Sequence, residues 1–480
     1  MSPATVALAM GFGIPSESPD KSWDESDQDV GIRSECHWGR RMSGGVWGDR
    51  FRQRLDGHNP ADPQHVTALV DAILTSAREA GASDVHLVPQ EFGLAMLLRL
   101  DGVLQPVAEL PKETSTNVIA RLKVLSELLT YRTDVPQEGR VRSDSMAAAN
   151  GNGNGNGAPR SDSSPMGLTR SIRPIPEPSG AQTVEMRVST FPTLFGEKAV
   201  VRLFVGSGTF RFLGELGLPE DIETSMKRLL DRRNGLLLIT GPAGSGKTTT
   251  AYAALREIVK ASCSTRSISS LEDPIEAVVP GVAQSQINSA AGFDYATGLK
   301  SLMRQDPEVI FVGEIRDRNT AETAFQASLT GQLVLTTFHS SSAAGAISRL
   351  SDMGIEPYLL RSGVIGIVAQ RLLRKLCACA TAVSHADGFV GLEVQRASQP
   401  VGCEQCGGTG YRGRMIVSEL LQPDLAGMGR AILSRGDATE IEALAVQAGM
   451  QTLLRRASLA VEAGQTSPAE VRRVLGWGMG

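Results

Sequence analysis

The most constraining feature of this chain is the segment Gly241-Pro-Ala-Gly-Ser-Gly-Lys-Thr248, which fits the pattern GxxxxGK[ST]. It follows Gly235-Leu-Leu-Leu-Ile-Thr240, a short apolar run that is typical of a buried parallel strand. Residues 249–260 continue with helix-forming side chains. A strand, a glycine-rich loop and a helix in this order form the usual context of a phosphate-binding loop. The sequence therefore predicts an α/β fold with a nucleotide-binding core.

The residue types in this loop each have a chemical task. The glycines allow successive backbone N–H groups to curve around phosphates, the lysine reaches the β- and γ-phosphates, and the hydroxyl ligates Mg²⁺. Lys247 and Thr248 are the residues predicted for the last two tasks. The predicted nucleotide-binding residues are Gly241, Ala243, Gly244, Ser245, Gly246, Lys247, Thr248 and Thr249.

Acidic residues follow two further predicted strands. Glu272 and Asp273 come after the run 267–271, and Glu314 comes shortly after the run 309–312. Active groups of open α/β sheets lie beyond the carboxyl ends of the strands, so Glu272 and Glu314 are predicted to be catalytic. One carboxylate would polarise a water molecule and the other would hold the hydrated metal, and the sequence does not divide these roles. The alternative is that they are solvated loop carboxylates, and that Asp273 and Glu276 cap a turn or helix.

Composition excludes some classes of protein. The net charge is -4 and the isoelectric point is near 6.0, which argues against binding nucleic acid through bulk positive charge. The chain has no apolar stretch of about 18 residues and no cleavable leader pattern, so a cytosolic protein is expected. Six cysteines in 480 residues do not suggest a disulfide framework, and four of them fall in one segment near the C-terminus.

The pattern along the chain predicts two domains after a tail. Residues 1–60 are polar and partly acidic, and they are predicted to be a disordered tail. Residues 61–210 alternate between helical and strand-like patterns, interrupted at 142–182 by a low-complexity insertion predicted to be disordered. Residues 211–480 alternate short apolar strands with helices, which indicates a mainly parallel sheet.

A series of further motifs occurs in order along the chain. They are Ala82-Ser-Asp-Val-His86, Arg99-Leu-Asp-Gly102, Pro136-Gln-Glu-Gly-Arg140, Arg187-Val-Ser189 with Gly196-Glu197, Glu272-Asp-Pro-Ile-Glu276, and Leu302-Met-Arg-Gln-Asp-Pro307 leading into Gly313-Glu-Ile-Arg-Asp317. Together with the phosphate loop they resemble the type II secretion and type IV pilus assembly ATPase family. The resemblance covers about residues 61–476 and is far more specific than the loop alone.

The resemblance implies an architecture and a function. It implies a PAS-like α/β domain joined to a RecA-like ATPase domain, with ATP between them, in a homohexameric ring. Arg187 and Arg202 occupy the positions of arginine fingers, and Arg140 would help to close the interface. The ring would work at the cytoplasmic face of an inner membrane with a membrane platform protein, without nucleic acid and without itself entering the membrane. It would drive assembly of a pseudopilus or a type IV pilus.

The segment Thr330-Gly-Gln-Leu-Val-Leu-Thr-Thr-Phe-His339 resembles the histidine box of the same family. The family carries two histidines here, whereas this chain has Gln332 at the first position. His339 is predicted to sense phosphate or to bridge to a neighbouring subunit. A satisfied structural hydrogen bond is the alternative, and Gln332 cannot acquire charge.

Four cysteines resemble the zinc-bearing module of the family. Cys403-Glu-Gln-Cys406 is a C-x-x-C knuckle, while the second pair, Cys377-Ala-Cys379, is one residue shorter than the family pattern. Four thiolates would hold a structural zinc ion, and buried thiols without a metal are the alternative. This module is predicted over about 372–420, and residues 426–476 are predicted to form a helical tail.

Three other functions remain open from the sequence. One is a retraction ATPase that disassembles a pilus, against which the cysteine module argues. Another is a RecA-like nucleic-acid translocase, which the acidic balance disfavours. The third is a scaffold that binds nucleotide without hydrolysis, against which intact Lys247, Thr248, Glu272 and Glu314 argue.

Overall fold

A computed structural model of the chain describes residues 45–56, 59, 62–141, 185–204, 212–263, 265–383, 389–423 and 427–476. All of them belong to one contact unit, Met42–Gly480. The predicted insertion at 142–182 lies outside the described residues. So does most of the predicted tail at 1–60, of which only 45–56 and 59 are described. Within the described ranges, no helix combines the length and the apolar character that crossing a bilayer requires.

The N-terminal part of the described chain is a six-stranded antiparallel sheet with helices on one face. Its helices are α1 (Val46–Leu55), α2 (His65–Glu79) and α3 (Lys112–Leu125), and its strands are β1 (Asp84–Pro89), β2 (Gly93–Leu100), β3 (Val103–Pro111), β4 (Gln137–Val141), β5 (Glu185–Thr193) and β6 (Gly196–Phe204). The strand order is β3-β2-β1-β6-β5-β4. Alternate residues of the strands bury against α2 and α3, and the opposite face of the sheet carries polar side chains, Arg187 and Arg202 among them, beside partly buried apolar ones.

Helix α1 lies inside the segment that the sequence predicts to be a disordered tail. Phe51 is only 1% exposed because it packs into the core shared by α2, α3 and the first sheet. Trp47 packs at the edge of the same core. A ten-residue helix is marginal by itself in water, so its stability comes from this tertiary burial. The surrounding sequence is polar and gives no sign of this burial. The prediction of a disordered tail is therefore wrong for Val46–Leu55.

The second sheet has seven strands, and six of them run parallel. Its elements are α4 (Glu220–Leu230), β7 (Gly235–Thr240), α5 (Lys247–Ala261), β8 (Ile268–Glu272), β9 (Ala283–Gln286), α6 (Tyr295–Leu302), β10 (Val309–Val312), α7 (Arg318–Leu329), β11 (Leu333–Phe338), α8 (Ala343–Asp352), α9 (Pro357–Gly363), β12 (Val364–Leu376) and β15 (Tyr411–Leu421). The strand order is β15-β12-β7-β11-β10-β8-β9, with only β15 antiparallel to its neighbour. The central strands β7, β10 and β11 are buried along their whole length because helices cover both faces.

Parallel pairing brings the carboxyl ends of the central strands to one edge of the second sheet. The phosphate loop follows β7, Glu272 ends β8, Gly313 follows β10, and His339 follows β11. This edge is where open α/β sheets bind their ligands. The mixed α/β fold with a parallel core that the sequence predicts is therefore confirmed.

The C-terminal part packs against β12 and β15. It contains the short strands β13 (Thr381–Ala382) and β14 (Ser398–Gln399) and the helices α10 (Met428–Leu433), α11 (Ala438–Gln447), α12 (Leu453–Glu462) and α13 (Pro468–Leu475). Glu470 on α13 is buried and accepts hydrogen bonds from Arg374 on β12 and from Arg473. Arg374 also stacks on the ring of Tyr411, 3.9 Å from its centroid. These contacts join the last helix to the edge of the second sheet.

Candidate functional site

The phosphate loop joins β7 to the first turn of α5. Gly244 and Gly246 have positive φ angles of 75° and 87°, a conformation that side chains with a Cβ rarely adopt. The ammonium group of Lys247 folds back over the loop and donates to the carbonyl oxygens of Gly241 (2.9 Å) and Pro242 (3.0 Å). Thr248 is the second residue of α5. A glycine-rich loop that ends in a helix N-terminus is a site suited to an anion.

Lys247, His339 and Glu314 form a chain of polar contacts across three strand ends, with His339 in the middle. Its Nζ lies 3.5 Å from Nδ1 of His339, and Nε2 of His339 lies 2.9 Å from Oε1 of Glu314. Burial lowers the pKa of Lys247, and the nearby Glu314 carboxylate acts in the opposite direction. The structure thus brings together three residues that the sequence singles out at separate places in the chain.

Two arginines hold this group in place. Arg316 Nε donates to Oε2 of Glu314 at 2.9 Å, and this hydrogen bond raises the pKa of Arg316. Arg349 on α8 donates to the carbonyl oxygen of His339 at 2.6 Å. The Glu314 carboxylate therefore has one oxygen on His339 and the other on Arg316.

Glu272 is held by a different set of donors. It is 3% exposed, and its carboxylate accepts hydrogen bonds from the Tyr252 hydroxyl, from Ser270 Oγ (2.6 Å) and from Gln284 Nε2 (2.9 Å). Within the described residues, no hydrogen bond or ion pair joins Glu272 to Lys247 or Glu314. Glu272 is therefore an anchored, buried carboxylate at the end of β8.

The segment after Glu272 faces the first sheet. Burial raises the pKa of Glu276, and the positive charges of Arg202 and Arg187 act to lower it. Asp273 lies 3.9 Å from Nη1 of Arg316. Two arginines of the first sheet therefore lie within electrostatic range of the acidic segment that follows β8.

Strand register explains why these arginines stand together. Arg140 on β4 pairs with Arg187 on β5, Arg187 pairs with Arg202 on β6, and Arg202 pairs with Asp84 on β1. Asp84 accepts from Arg202 Nε at 3.1 Å, and Glu138 lies 3.4 Å from Arg187 Nε. Like charges in directly opposed positions destabilise a sheet. Three arginines in directly opposed positions, with Asp84 and Glu138 beside two of them, are therefore a place where an added anion would be stabilising.

Gln332 does not join this site. It precedes β11, whereas His339 follows that strand. Six strand residues at about 3.3 Å each place the two positions roughly 20 Å apart. Gln332 accepts a hydrogen bond from Thr330 Oγ1 at 2.9 Å, at the opposite edge of the sheet from the phosphate loop. The first position of the histidine box is therefore separated from the predicted nucleotide site.

The four cysteines converge in a second cluster. Their sulfur atoms lie within 4.8 Å of one another, and the separations include 3.8 Å for Cys377–Cys403, 3.9 Å for Cys379–Cys406 and 3.7 Å for Cys403–Cys406. Tetrahedral zinc with Zn–S bonds near 2.3 Å requires sulfur separations of about 3.8 Å. The three separations match a tetrahedral site, and the four residues fit zinc.

Backbone amides also prepare this cluster for thiolates. The N–H groups of Cys403 and Gly410 donate to Sγ of Cys406 at 3.1 and 3.2 Å. Burial acts to raise the pKa of Cys406, but these hydrogen bonds and the neighbouring thiols lower it to about 6. Burial and the neighbouring thiols raise the pKa of Cys379 to about 11. Cys406 is thus favoured as a thiolate before Cys379.

Sequence reasoning misses several residues that build the site. Tyr252 and Gln284 anchor Glu272, and Arg349 fixes the backbone at His339. Arg316 stands in the Gly313–Asp317 motif but carries no predicted role. Only Arg316 has a signal in the sequence, its place two residues after Glu314. The other three come from helices and an edge strand whose contacts depend on the fold.

Comparison with protein families and curated proteins gives consistent matches. A family model described as "Type II/IV secretion system protein" matches residues 59–147 and 178–473. The type IV pilus assembly ATPase TfpB of Acinetobacter baylyi is 36% identical over 430 residues, spanning 88% of this chain and 67% of that protein. The type II secretion system protein E of Pectobacterium carotovorum is 37% identical over 421 residues, spanning 86% and 76%.

Solved structures share the fold. The ATPase DotB of Legionella pneumophila superposes with a TM-score of 0.56 over 84% of this chain and 94% of its own, at 20% identity. DotB of Yersinia pseudotuberculosis superposes with a TM-score of 0.58 over 87% and 95%, also at 20% identity. At this level of identity the similarity concerns the fold alone.

Proposed function

The chain belongs to the type II/IV secretion system protein family, and from this premise we propose that it is a hexameric motor that hydrolyses ATP to drive assembly of a pseudopilus or a type IV pilus. The single observation that carries the proposal is the contact chain from Lys247 through His339 to Glu314 at the edge of a parallel sheet. It supplies a cation for the phosphates and a carboxylate for water or metal at one place.

The proposed roles follow from this geometry. The phosphate loop binds the triphosphate through its N–H groups, and Lys247 exchanges its two carbonyl acceptors for phosphate oxygens. Thr248 holds Mg²⁺, which when bound neutralises phosphate charge. Glu314 and Glu272 divide the tasks of orienting the water and holding the hydrated metal. His339 lies between Lys247 and Glu314, and it loses its contact with the lysine when a γ-phosphate binds there.

Arg187 and Arg202 complete the site from the first sheet. Arg202 pairs with Asp84 and Arg187 pairs with Glu138, and both arginines also act electrostatically on Glu276. Guanidinium groups that stabilise the γ-phosphate would lose this partner after hydrolysis, so the two sheets would then be free to move relative to one another. This is how ATP turnover is proposed to become mechanical movement.

The test is phosphate release by the purified protein with Mg²⁺ and ATP. Lys247→Ala is expected to lose nucleotide binding, while Glu314→Gln is expected to bind ATP but to lose at least a hundredfold in kcat, consistent with removing an oriented charge from a transition state. Arg435→Ala is a suitable control because the Arg435 side chain is exposed and its ion pair within the described ranges is with Glu356, at 3.9 Å. Unchanged turnover in Lys247→Ala would contradict the proposed site.

The assembly and its location are part of the proposal. We infer a homohexamer at the cytoplasmic face of the inner membrane, bound to a platform protein rather than to lipid. Arg140 and Arg202 are exposed, which supports a site that is completed by a neighbouring surface. Light scattering of the protein with ATP and with the slow Glu314→Gln variant tests it, because a stable monomer under both conditions contradicts a ring.

The cysteine cluster is proposed to hold structural zinc through Cys377, Cys379, Cys403 and Cys406. Four protein ligands leave no open position, so the metal would stabilise the loop and take no part in hydrolysis. Metal analysis is expected to find one zinc per chain and to find a marked loss in Cys403→Ser. Cys263→Ser is the matched control, because Cys263 is exposed and outside the cluster.

A further inference from the structure

We propose that Gln370 on β12 is a positioning residue of the nucleotide site, an inference that rests on the function proposed above. β12 is the parallel neighbour of β7, and Ala369 pairs with Thr240, the last residue of β7. Gln370 therefore lies beside Gly241, where the phosphate loop begins. Its side chain is completely buried.

Gln370 contacts the loop at several points. Its Nε2 donates to the carbonyl oxygen of Ser245 at 2.8 Å. A Cβ on Gly241 would come within 2.6 Å of the Gln370 carbonyl oxygen, and a Cβ on Gly246 would come within 3.2 Å of Gln370 Nε2. The loop thus packs on Gln370 at its start and near its end, and only glycine fits these two positions without movement.

The next residue extends this contact to the loop that carries His339. Arg371 Nη2 donates to the carbonyl oxygen of Ser341 at 2.6 Å, and its Nη1 donates to the carbonyl oxygen of Gln370 at 2.9 Å. Ser341 lies two residues after His339. The pair Gln370-Arg371 therefore connects the two loops whose separation sets the contact between Lys247 and His339.

Stability of the core does not explain why this residue is an amide. Gln370 Oε1 is buried without a hydrogen-bond partner among the described residues, and so are Ser245 Oγ and Ser418 Oγ. Ser418 pairs with Gln370 across the strands β12 and β15. A buried acceptor without a partner is unfavourable, and an apolar side chain of similar size would avoid that cost. We infer that this position is an amide because its N–H group donates a hydrogen bond to the phosphate loop.

The main test is Gln370→Met, which keeps the approximate volume and removes the donor. Its affinity for ATP and ADP is expected to fall together by roughly three- to tenfold, the range of one net hydrogen bond. Because the loop binds substrate and transition state alike, KM should rise with less change in kcat. The measurements are titration with a fluorescent nucleotide analogue, steady-state phosphate release, and thermal unfolding without nucleotide, which should shift by only a few degrees.

Ser418→Ala is the matched control. It removes a buried hydroxyl on β15, opposite Gln370, that has no hydrogen-bond partner in the described part of the chain, so nucleotide affinity should stay at the wild-type value. Gln370→Glu keeps the shape but places an oxygen against the Ser245 carbonyl, so it should bind nucleotide more weakly than Gln370→Met. If Gln370→Glu does not fold, the methionine and Ser418→Ala variants are sufficient for the test.

Several results would overturn the inference. They are wild-type affinity in Gln370→Met, an equal loss in Ser418→Ala, or a loss of affinity matched by a large fall in the nucleotide-free melting temperature. Failure of the proposed function looks different, because the wild-type protein itself would then neither bind nor hydrolyse ATP. If the wild type is active and Gln370→Met is unaffected, only the role of Gln370 is refuted.

Discussion

Tyr252→Phe removes one oxygen atom that joins α5 to the acidic segment after β8. The Tyr252 hydroxyl donates to Glu272 Oε2 and accepts a hydrogen bond from the backbone N–H of Glu276 at 3.1 Å. The ring itself is 1% exposed and lies edge-on to Phe311, with centroids 6.1 Å apart. Phenylalanine fills the same space, so the substitution isolates the two hydrogen bonds from the packing.

The expected loss follows from these contacts. A hydrogen bond to a charged acceptor contributes about 1.5–3 kcal/mol, and leaving the partly buried Glu276 N–H without an acceptor adds about 1 kcal/mol. The free energy of unfolding should therefore fall by about 2.5–4 kcal/mol. Glu272 keeps Ser270 and Gln284 as donors, so the carboxylate should stay at the end of β8 with one oxygen less constrained.

The assay is urea unfolding of wild type, Tyr252→Phe and Tyr295→Phe, followed by circular dichroism. Tyr295 is a suitable control because it lies near the same carboxylates, and its hydroxyl has no hydrogen-bond partner in the described part of the chain. Its removal should change the free energy of unfolding by less than about 0.5 kcal/mol. Equal stability of the two variants would refute the anchoring of Glu272 by Tyr252.

Two further predictions concern charge and distance. Burial acts to raise the pKa of Glu470, but Arg473 and Arg374 outweigh it and lower that pKa below its usual value. Because this pKa is lower in the folded protein, the Glu470 carboxylate stabilises the fold at pH values above its unfolded pKa of about 4.3. That contribution to the free energy of unfolding is lost as the pH falls through the folded pKa. Glu470→Gln should therefore cost about 3–5 kcal/mol at pH 7, as for a broken buried ion pair, and less at pH 3.5; a constant difference in denaturant midpoint between the two pH values would contradict this. Gln332→Ala should leave kcat and KM for ATP within twofold of wild type, because Gln332 lies at the far end of β11; a tenfold change in phosphate release would contradict that placement.

Local sequence determined the parts of this protein whose physics is local. The phosphate loop, the apolar strand before it and the helix after it lie within 30 residues, so their pattern predicts strand, loop and helix correctly. The ordered motifs also predicted the family and the ATPase fold class, and both are confirmed. The position of Glu314 beyond a strand end predicted its place at the site edge, since parallel strands bring their carboxyl ends together.

Tertiary structure alone decided the contacts between distant segments. Helix α1 exists because Phe51 enters a core formed by residues that lie far along the chain. The burial of Glu272 against Tyr252, the role of Gln370 beneath the phosphate loop and the separation of Gln332 from His339 all depend on which strands are neighbours. The row of Arg140, Arg187 and Arg202 likewise depends on strand register. Such pairings join residues that no local periodicity connects, so the sequence names the chemical groups while the fold sets which of them meet.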